Sequence, residues 1–191
     1  MDEMAKAAGK DPFEFRMALL KDKPRFANVL KLAAEKAGWG KKLPAGRALG
    51  IALQEGYDTY MAQVVEVSVG ADGVKVHKVT VAVDAGRLVN PDTVEAQIQS
   101  SIVFGISAGL MEEITVDKGR VQQTNFNNFP VVRMNESPKM DIILVKSTEK
   151  PGGIGEPATA LVVPAIANAV ATLTGKRVRS LPLTADAIKA A

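Results

Sequence analysis

The sequence predicts an α+β fold, a mixed sheet of hairpins with helices packed against it. The first 38 residues have the 3.6-residue apolar spacing of helices, and the chain then changes to the two-residue alternation of strands. Two later apolar stretches are long enough to form helices again. With 191 residues, 47% of them hydrophobic, the chain can form one domain with a core of its own.

The composition excludes several kinds of site. The chain has no cysteine and one histidine, which leaves no disulfide, no thiolate metal site and no histidine-based zinc site. Its 24 basic and 21 acidic residues give a net charge of +3. The basic excess lies in the first 50 residues, where acids alternate with bases and aromatic residues are not interleaved. We therefore expect a solvated helical surface and no nucleic-acid binding.

Residues 1–46 are predicted to form an N-terminal helical segment, and residues 47–191 the main α+β domain. Prolines, glycines and lysines between Trp39 and Gly50 indicate a loop or linker. We expect the boundary between the two parts to lie in it.

Local signals place the first helices. Asp11 stands in a capping position before Pro12, which has the fixed φ suited to the first helical position. Pro24 opens a further helix whose apolar residues recur at helical spacing. Gly38 is expected to close that helix in the left-handed conformation.

Two runs of alternating apolar residues predict a hairpin, the first from Met61 to Val69 and the second from Val74 to Val83. The apolar phase of the second run changes between Val76 and Val79, so one extra residue is expected there, as a bulge near His77. The histidine is better explained by that twisted, exposed strand than by catalysis.

Asn90 and Pro91 predict the start of a long helix that ends near Leu110. Its small residues, Ser101, Gly105 and Gly109, recur every four positions and would let another backbone approach closely.

Residues 105–109 have the sequence Gly-Ile-Ser-Ala-Gly, which matches the G-x-S-x-G elbow of serine hydrolases. An elbow needs a strand before the serine and, in that fold, a histidine after it. Here the match lies inside a predicted helix and His77 precedes it, so we reject a hydrolase.

Beyond this helix, a second hairpin is predicted from Glu113–Val116 and Arg120–Thr124, followed by an irregular stretch over Asn125–Pro138 and a strand over Met140–Lys146. The uncharged stretch from Pro157 to Gly175 contains two prolines, an asparagine and three threonines, which favours a helix buried in protein over a membrane span. A last strand is expected around Val178–Leu183.

Glu156 is the candidate for chemistry. It follows three glycines, at 152, 153 and 155, and precedes the uncharged helix. A glutamate there ordinarily interacts with the helix dipole or caps the helix. The alternative is a general base, because glycines admit a ligand to the backbone and an apolar helix would provide low-dielectric surroundings. The spacing alone leaves both interpretations open.

Six sequence blocks, in order along the whole chain, resemble the C-terminal portion of molybdenum hydroxylase large subunits, the xanthine dehydrogenase and aldehyde oxidase superfamily. Within it, the resemblance is closest to the beta subunit of isoquinoline 1-oxidoreductase. The blocks are A-A-G-K-D-P at 7–12, G-R-L-V-N-P-D at 86–92, I-V-F-G at 102–105, G-G-I-G-E-P at 152–157, P-A-I-A-N-A at 164–169 and T-G-K-R-V-R-S-L-P-L at 174–183.

This resemblance implies a cofactor and a set of site residues. The family holds molybdenum on a molybdopterin, usually the cytosine dinucleotide form in bacteria, without a protein side chain as metal ligand. Glu156 corresponds to the base that takes up a proton while a water-derived oxygen is added to an N-heteroaromatic or aldehyde carbon. Gln97 corresponds to a glutamine that contacts the pterin, with an exposed polar helix residue as the alternative. Gly153 and Gly155 correspond to backbone contacts of the site.

The resemblance also implies partners. It covers only the final portion of the large subunit, so we expect the remainder of that subunit as a partner and expect the chain to be inactive alone. Electrons would leave through [2Fe-2S] clusters on a small subunit, since this chain has no cysteine. Ser100 and Ser101 depart from the paired glycines of many relatives. A non-catalytic assembly module that keeps the fold without a cofactor is the alternative function, and a neighbouring gene for an iron-sulfur subunit would favour the enzyme.

Overall fold

The computed structural model describes all 191 residues and has the mixture of helices and strands that the sequence predicts. Its elements are α1 (Asp2–Ala7), α2 (Pro12–Ala18), α3 (Pro24–Ala37), β1 (Arg47–Gly56), β2 (Thr59–Gly70), β3 (Gly73–Asp84), α4 (Pro91–Leu110), β4 (Val116–Asp117), β5 (Arg120–Val121), β6 (Lys139–Leu144), α5 (Thr159–Thr174) and α6 (Ala185–Ala190).

The main sheet is mixed, as predicted. Its four strands are ordered β1-β2-β3-β6. The pairs β1-β2 and β2-β3 are antiparallel, and β6 lies parallel to β3. Parallel neighbours need a long crossover connection, and α4 provides it between β3 and β6.

The sheet is packed between helices on both faces. Because side chains of a strand alternate between faces, Val81 and Val83 of β3 join the apolar cluster formed with α4 and α5. Ala82, between them, joins the second cluster, which includes Val29 and Leu30 of α3. The N-terminal helices thus pack directly on the sheet, and the division at residues 46 and 47 stays a prediction.

The predicted bulge lies at His77. Glu66 pairs with Lys78 and Val67 with Val76, so His77 has no partner residue on β2. The imidazole Nε2 lies 2.8 Å from the hydroxyl oxygen of Ser68, within hydrogen-bonding distance. Partial burial lowers the pKa of His77 and favours the neutral ring.

The predicted helix ends are confirmed. The Asp11 carboxylate accepts two N–H groups of the first turn of α2, and the Asn90 side chain accepts one from α4. Gly38 and Gly175 follow α3 and α5 with φ of +75° and +73°, a conformation that glycine adopts without steric cost.

The two glycines of the small-residue stripe on α4 lie close to another helix, as predicted, and that helix is α5. A Cβ atom on Gly105 would lie 2.9 Å from the carbonyl oxygen of Thr159, and one on Gly109 would lie 2.6 Å from Cγ2 of Val163. The earlier glycine of α4 contacts the earlier residue of α5, and the later glycine contacts the later residue. The two helices therefore run in the same direction.

The serine of the hydrolase-like motif is structural. Ser107 is buried inside α4, where its hydroxyl donates to the carbonyl of Val103 and accepts the N–H of Val132, both at 3.0 Å. It therefore connects α4 to the irregular stretch after the small hairpin.

The uncharged stretch forms α5, whose buried side chains, Leu161, Val162, Ala165 and Ile166 among them, belong to the larger apolar cluster. Among the helices of this structure, none combines the length and hydrophobicity needed to cross a membrane.

Three expectations about strands need correction. The expected loop Trp39–Gly50 ends earlier, because β1 begins at Arg47. The second hairpin has only two residues in each strand. All four are exposed, so no buried apolar contacts stabilise longer strands there. The expected strand Val178–Leu183 is wrong: this segment is irregular, the N–H of Leu183 donates to the carbonyl of Gly109 instead of to a strand, and α6 follows.

An ion pair connects α3 to the end of β3. Arg25 donates from Nε and Nη2 to the two carboxylate oxygens of Asp84, each at 2.8 Å. Asp84 is buried and also accepts the N–H of Gly86. The hydrogen bonds from Arg25 hold the pKa of Asp84 below its usual value.

This pair predicts an acid-sensitive part of the stability. Because the folded-state pKa of Asp84 is depressed, its contribution is fully present above the unfolded-state pKa, about 4, and is lost as the pH falls through the folded-state pKa. We expect Asp84→Asn to cost about 3 kcal/mol at pH 7 and to reduce the pH dependence of the unfolding free energy below about pH 4. Urea unfolding from pH 7 to pH 2.5 or so measures both.

Asp72→Asn is the matched control, because Asp72 lies exposed in the β2-β3 turn. It should leave the unfolding free energy within about 0.5 kcal/mol of that of the original chain. An Asp84→Asn chain with unchanged stability at pH 7 would contradict the role of the pair.

Candidate functional site

The loop that contains Glu156 connects β6 to α5 and is anchored by its backbone. The N–H of Gly152 donates to the carbonyl of Ala85 at 2.9 Å, and the N–H of Gly153 donates to the carbonyl of Tyr57 at 2.8 Å. The hydroxyl of Thr59 donates to the carbonyl of Gly153 at 2.7 Å. The loop is thus attached to the end of β3 and to the turn between β1 and β2.

The glycines of the loop have different surroundings. A Cβ on Gly152 would lie 2.8 Å from the carbonyl oxygen of Asp58, and one on Gly153 would lie 2.8 Å from the Cβ of Tyr57. These two positions therefore need glycine for packing within the chain. Around Gly155 there is no atom within 4 Å of a Cβ, so this position is open to a ligand or another chain segment.

The β1-β2 turn lies against this loop. Tyr57 and Asp58 form a two-residue turn with φ of +56° and +62°, between the paired residues Gly56 and Thr59. Positive φ at both central residues is the geometry of tight hairpin turns. The Tyr57 side chain is 64% exposed, and its hydroxyl donates to Oε1 of Glu156 at 3.1 Å.

The Glu156 side chain is exposed, and Tyr57 is its hydrogen-bond partner. Ala158 occupies the N-cap of α5 without a side-chain cap, so the capping interpretation of Glu156 is not realised. The expected low-dielectric surroundings are not provided by this chain, because α5 begins three residues later and turns its apolar side chains to the sheet. The hydrogen bond to Glu156, and its charge, raise the pKa of Tyr57.

Gln97 is half-buried on α4 and makes no side-chain hydrogen bond within the chain. Along α4, Gln97 lies about 12 Å from Gly105, toward the N-terminus of the helix. Gly105 packs against Thr159, at the start of α5. Gln97 and Glu156 therefore lie at the same end of the helix pair. The structure does not join them by a direct contact.

Gln63 was missed by reasoning from the sequence. It is fully buried on β2, and its Nε2 donates to the carbonyl of Ala158 at 2.7 Å, directly before α5. Its carbonyl oxygen Oε1 has no partner. The signal that could have found it is a polar residue inside an otherwise apolar strand.

The residues present are compatible with a cofactor that brings its own metal ligands. No group of three or more His, Asp or Glu side chains in the chain could hold a metal ion. The chain offers instead an open glycine position, an exposed carboxylate beside it and a half-buried amide at the same end of the helix pair.

Comparison with known families identifies the family of the chain. The family model described as molybdopterin cofactor-binding domain matches residues 23–138, more than half of the chain. The fold and the match define a molybdopterin cofactor-binding domain. The chain belongs to the molybdopterin cofactor-binding domain family, as the resemblance of its sequence blocks predicts.

Individual relatives cover almost the whole chain. The beta subunit of isoquinoline 1-oxidoreductase from Brevundimonas diminuta is 36% identical over 96% of this chain and 24% of that protein. The membrane-bound aldehyde dehydrogenase [pyrroloquinoline-quinone] from Gluconacetobacter polyoxogenes is 36% identical over 96% of this chain and 26% of that protein. The chain thus spans about a quarter of the length of these relatives.

A solved structure shows the same fold. The aldehyde oxidoreductase of Desulfovibrio gigas superposes on 68% of this chain, and 15% of its own, with a TM-score of 0.60 at 24% identity.

Proposed function

We propose that the chain is the base-bearing, C-terminal part of the large subunit of a molybdopterin-dependent hydroxylase, with Glu156 as the general base. The supporting observation is the exposed Glu156 carboxylate beside the open position at Gly155, on a loop otherwise anchored to the sheet. The substrate proposed is an N-heteroaromatic compound or an aldehyde, since the names of the relatives include both classes. Water supplies the oxygen.

Each residue has a separate task in this proposal. Glu156 takes up the proton released as oxygen is added to the substrate carbon. Gly155 leaves room for the cofactor or substrate to approach the backbone. Gly153 keeps the loop on the β1-β2 turn through its two backbone hydrogen bonds, and Gln97 donates or accepts a hydrogen bond at the pterin. When bound, molybdopterin, here proposed as the cytosine dinucleotide, would supply the metal and the redox chemistry.

Exposed apolar side chains support a partner that covers this chain. Val89 is 92% exposed, Phe104 66% and Met134 94%. Large apolar side chains left in water favour association with other protein surfaces. We propose that the remainder of the large subunit covers them and removes water from Glu156, and that a small subunit with [2Fe-2S] clusters accepts the electrons.

Gly155→Ala in the complete enzyme tests the cofactor site. The Cβ meets nothing within this chain, and the φ of Gly155 lies outside the positive range, so folding should be unaffected. A cofactor against the backbone would collide with it. We therefore expect at least a several-fold loss of molybdenum per subunit, measured by elemental analysis, with an unfolding midpoint within about 2 °C of the original.

Gly70→Ala is the matched control, because its Cβ is equally free of contacts and its position at the end of β2 lies outside the proposed site. It should keep full molybdenum content. Equal molybdenum in both variants would remove Gly155 from the site. A complete subunit with bound quinone and no molybdenum, or with no cofactor at all, would contradict the proposed function.

A further inference from the structure

We propose that Tyr57 is a positioning residue for Glu156, and that its hydroxyl fixes one carboxylate oxygen so that the other is free to take up a proton. The inference rests on the proposed role of Glu156 as the base.

Tyr57 contacts the loop at two points. Its backbone carbonyl accepts the N–H of Gly153 at 2.8 Å, while its side-chain hydroxyl donates to Oε1 of Glu156 at 3.1 Å. The two loop residues are three positions apart. A single residue of the β1-β2 turn therefore contacts both the backbone of the loop and its carboxylate.

The turn that holds Tyr57 has little freedom to move. The flanking residues Gly56 and Thr59 are paired, and two residues at positive φ close the turn between them. Gly152 packs against the backbone of Asp58 on one side. The backbone of Tyr57 is consequently held in place. Only the two side-chain torsions of Tyr57 must be fixed for the phenol to reach Glu156.

The hydrogen bond distinguishes the two oxygens of Glu156. Oε1 accepts the phenol, and Oε2 accepts no hydrogen bond from the chain. An exposed glutamate has several rotatable bonds, so a single donor that fixes its direction reduces the orientations that are unproductive. Oε2 is the oxygen that we assign to proton uptake.

The phenol is a donor over the whole neutral range. The hydrogen bond to Glu156 and the negative charge of that side chain raise the pKa of Tyr57 above the ordinary value near 10. The other charged side chains on the two segments, Asp58, Lys146, Glu149 and Lys150, make no hydrogen bond with either group.

The first test is Tyr57→Phe in the complete enzyme. Phenylalanine keeps the ring and the backbone contact to Gly153 and removes only the donor. We expect kcat to fall about tenfold with KM unchanged within about a factor of two, because the base is misdirected while substrate contacts remain. Tyr60→Phe is the control: Tyr60 packs against Phe26 and Arg25, and its hydroxyl makes no hydrogen bond, so kcat should not change.

The second test uses the 191-residue chain by itself and does not depend on turnover. The chain has two tyrosines, so Tyr60→Phe leaves Tyr57 as the single phenol. Its ionisation can be followed by ultraviolet absorbance, and adding Glu156→Gln should move the midpoint to lower pH, because the charge that opposes the phenolate is gone.

The outcomes separate this inference from the proposed function. An unchanged phenol midpoint after Glu156→Gln would show that the contact is not formed. Normal kcat in Tyr57→Phe, with turnover lost in Glu156→Gln, would overturn the positioning role and leave Glu156 as the base. Turnover retained in Glu156→Gln would overturn the proposed function, whatever Tyr57→Phe does.

Discussion

Glu156→Gln in the complete enzyme is expected to lower turnover by about 10²–10⁴-fold, the contribution usual for a general base, and to leave the molybdenum content unchanged. Glutamine has the size of glutamate and can still accept the hydrogen bond from Tyr57, but it cannot take up a proton at neutral pH. The Glu156 side chain is exposed and does not cap α5, so the fold has no need of its charge. Steady-state kinetics together with elemental analysis measure the two effects separately.

The matched control is Glu149→Gln, seven residues earlier in the same connection between β6 and α5. Glu149 is also exposed, and its contacts with the fold are made by its backbone: the carbonyl accepts the N–H of Arg87 at 3.0 Å, and the N–H donates to the hydroxyl of Ser147 at 3.2 Å. Removing its charge should leave kcat within about twofold of the original. Near-normal turnover in Glu156→Gln would exclude Glu156 as the base. Lost molybdenum would show instead that Glu156 helps to bind the cofactor.

The parts of the fold that the sequence predicts depend on neighbouring residues. The cap at Asp11 is formed by N–H groups two and three positions away, and the ends at Gly38 and Gly175 depend on the φ of a single residue. The bulge at His77 was predicted because a change of phase in a strand is visible within a few residues. Local chemistry is sufficient for these features.

The parts that were missed depend on residues far apart in the chain. Arg47 to Gly50 contain glycine and polar signals typical of a loop, yet they pair with β2 and pack against α5, more than 100 residues later. Val178–Leu183 is apolar enough for a strand, but β1 and β6 are the edges of the sheet and neither pairs with it. The alternation of apolar and polar residues cannot show which sheet edge a segment will pair with, or whether it pairs at all.

The candidate site divides in the same way. The glycines and Glu156 can be recognised from their order in the loop. The backbone approaches its neighbours so closely at Gly152 and Gly153 that these positions require glycine, which is visible in the sequence. The partners Tyr57 and Gln63 cannot, since 99 and 95 residues separate them from the positions that they contact. The catalytic role of Glu156 remains a proposal for the experiment above.

Gly50→Ala is expected to destabilise the chain by about 3 kcal/mol or more, at the upper end of the cost of overpacking. Gly50 lies in the middle of β1, where a Cβ would collide with the carbonyl oxygen of Ala165 and lie 2.5 Å from the backbone nitrogen of Ala169. Both are backbone atoms of α5, so no side-chain rotation can relieve the overlap. The midpoint of urea unfolding measures the loss.

Gly56→Ala, in the same strand, is the control. There a Cβ would meet only the side-chain amide of Gln54, at 3.2 Å, and a flexible side chain can move away. We expect that variant within about 1 kcal/mol of the original. Equal stability of the two variants would contradict the packing of β1 on α5. Gln63 of the neighbouring strand donates to the carbonyl of Ala158, directly before α5. If Gly50→Ala displaces α5, the loop that precedes this helix should therefore move as well. We expect Gly50→Ala to impair turnover of the complete enzyme even where the variant folds.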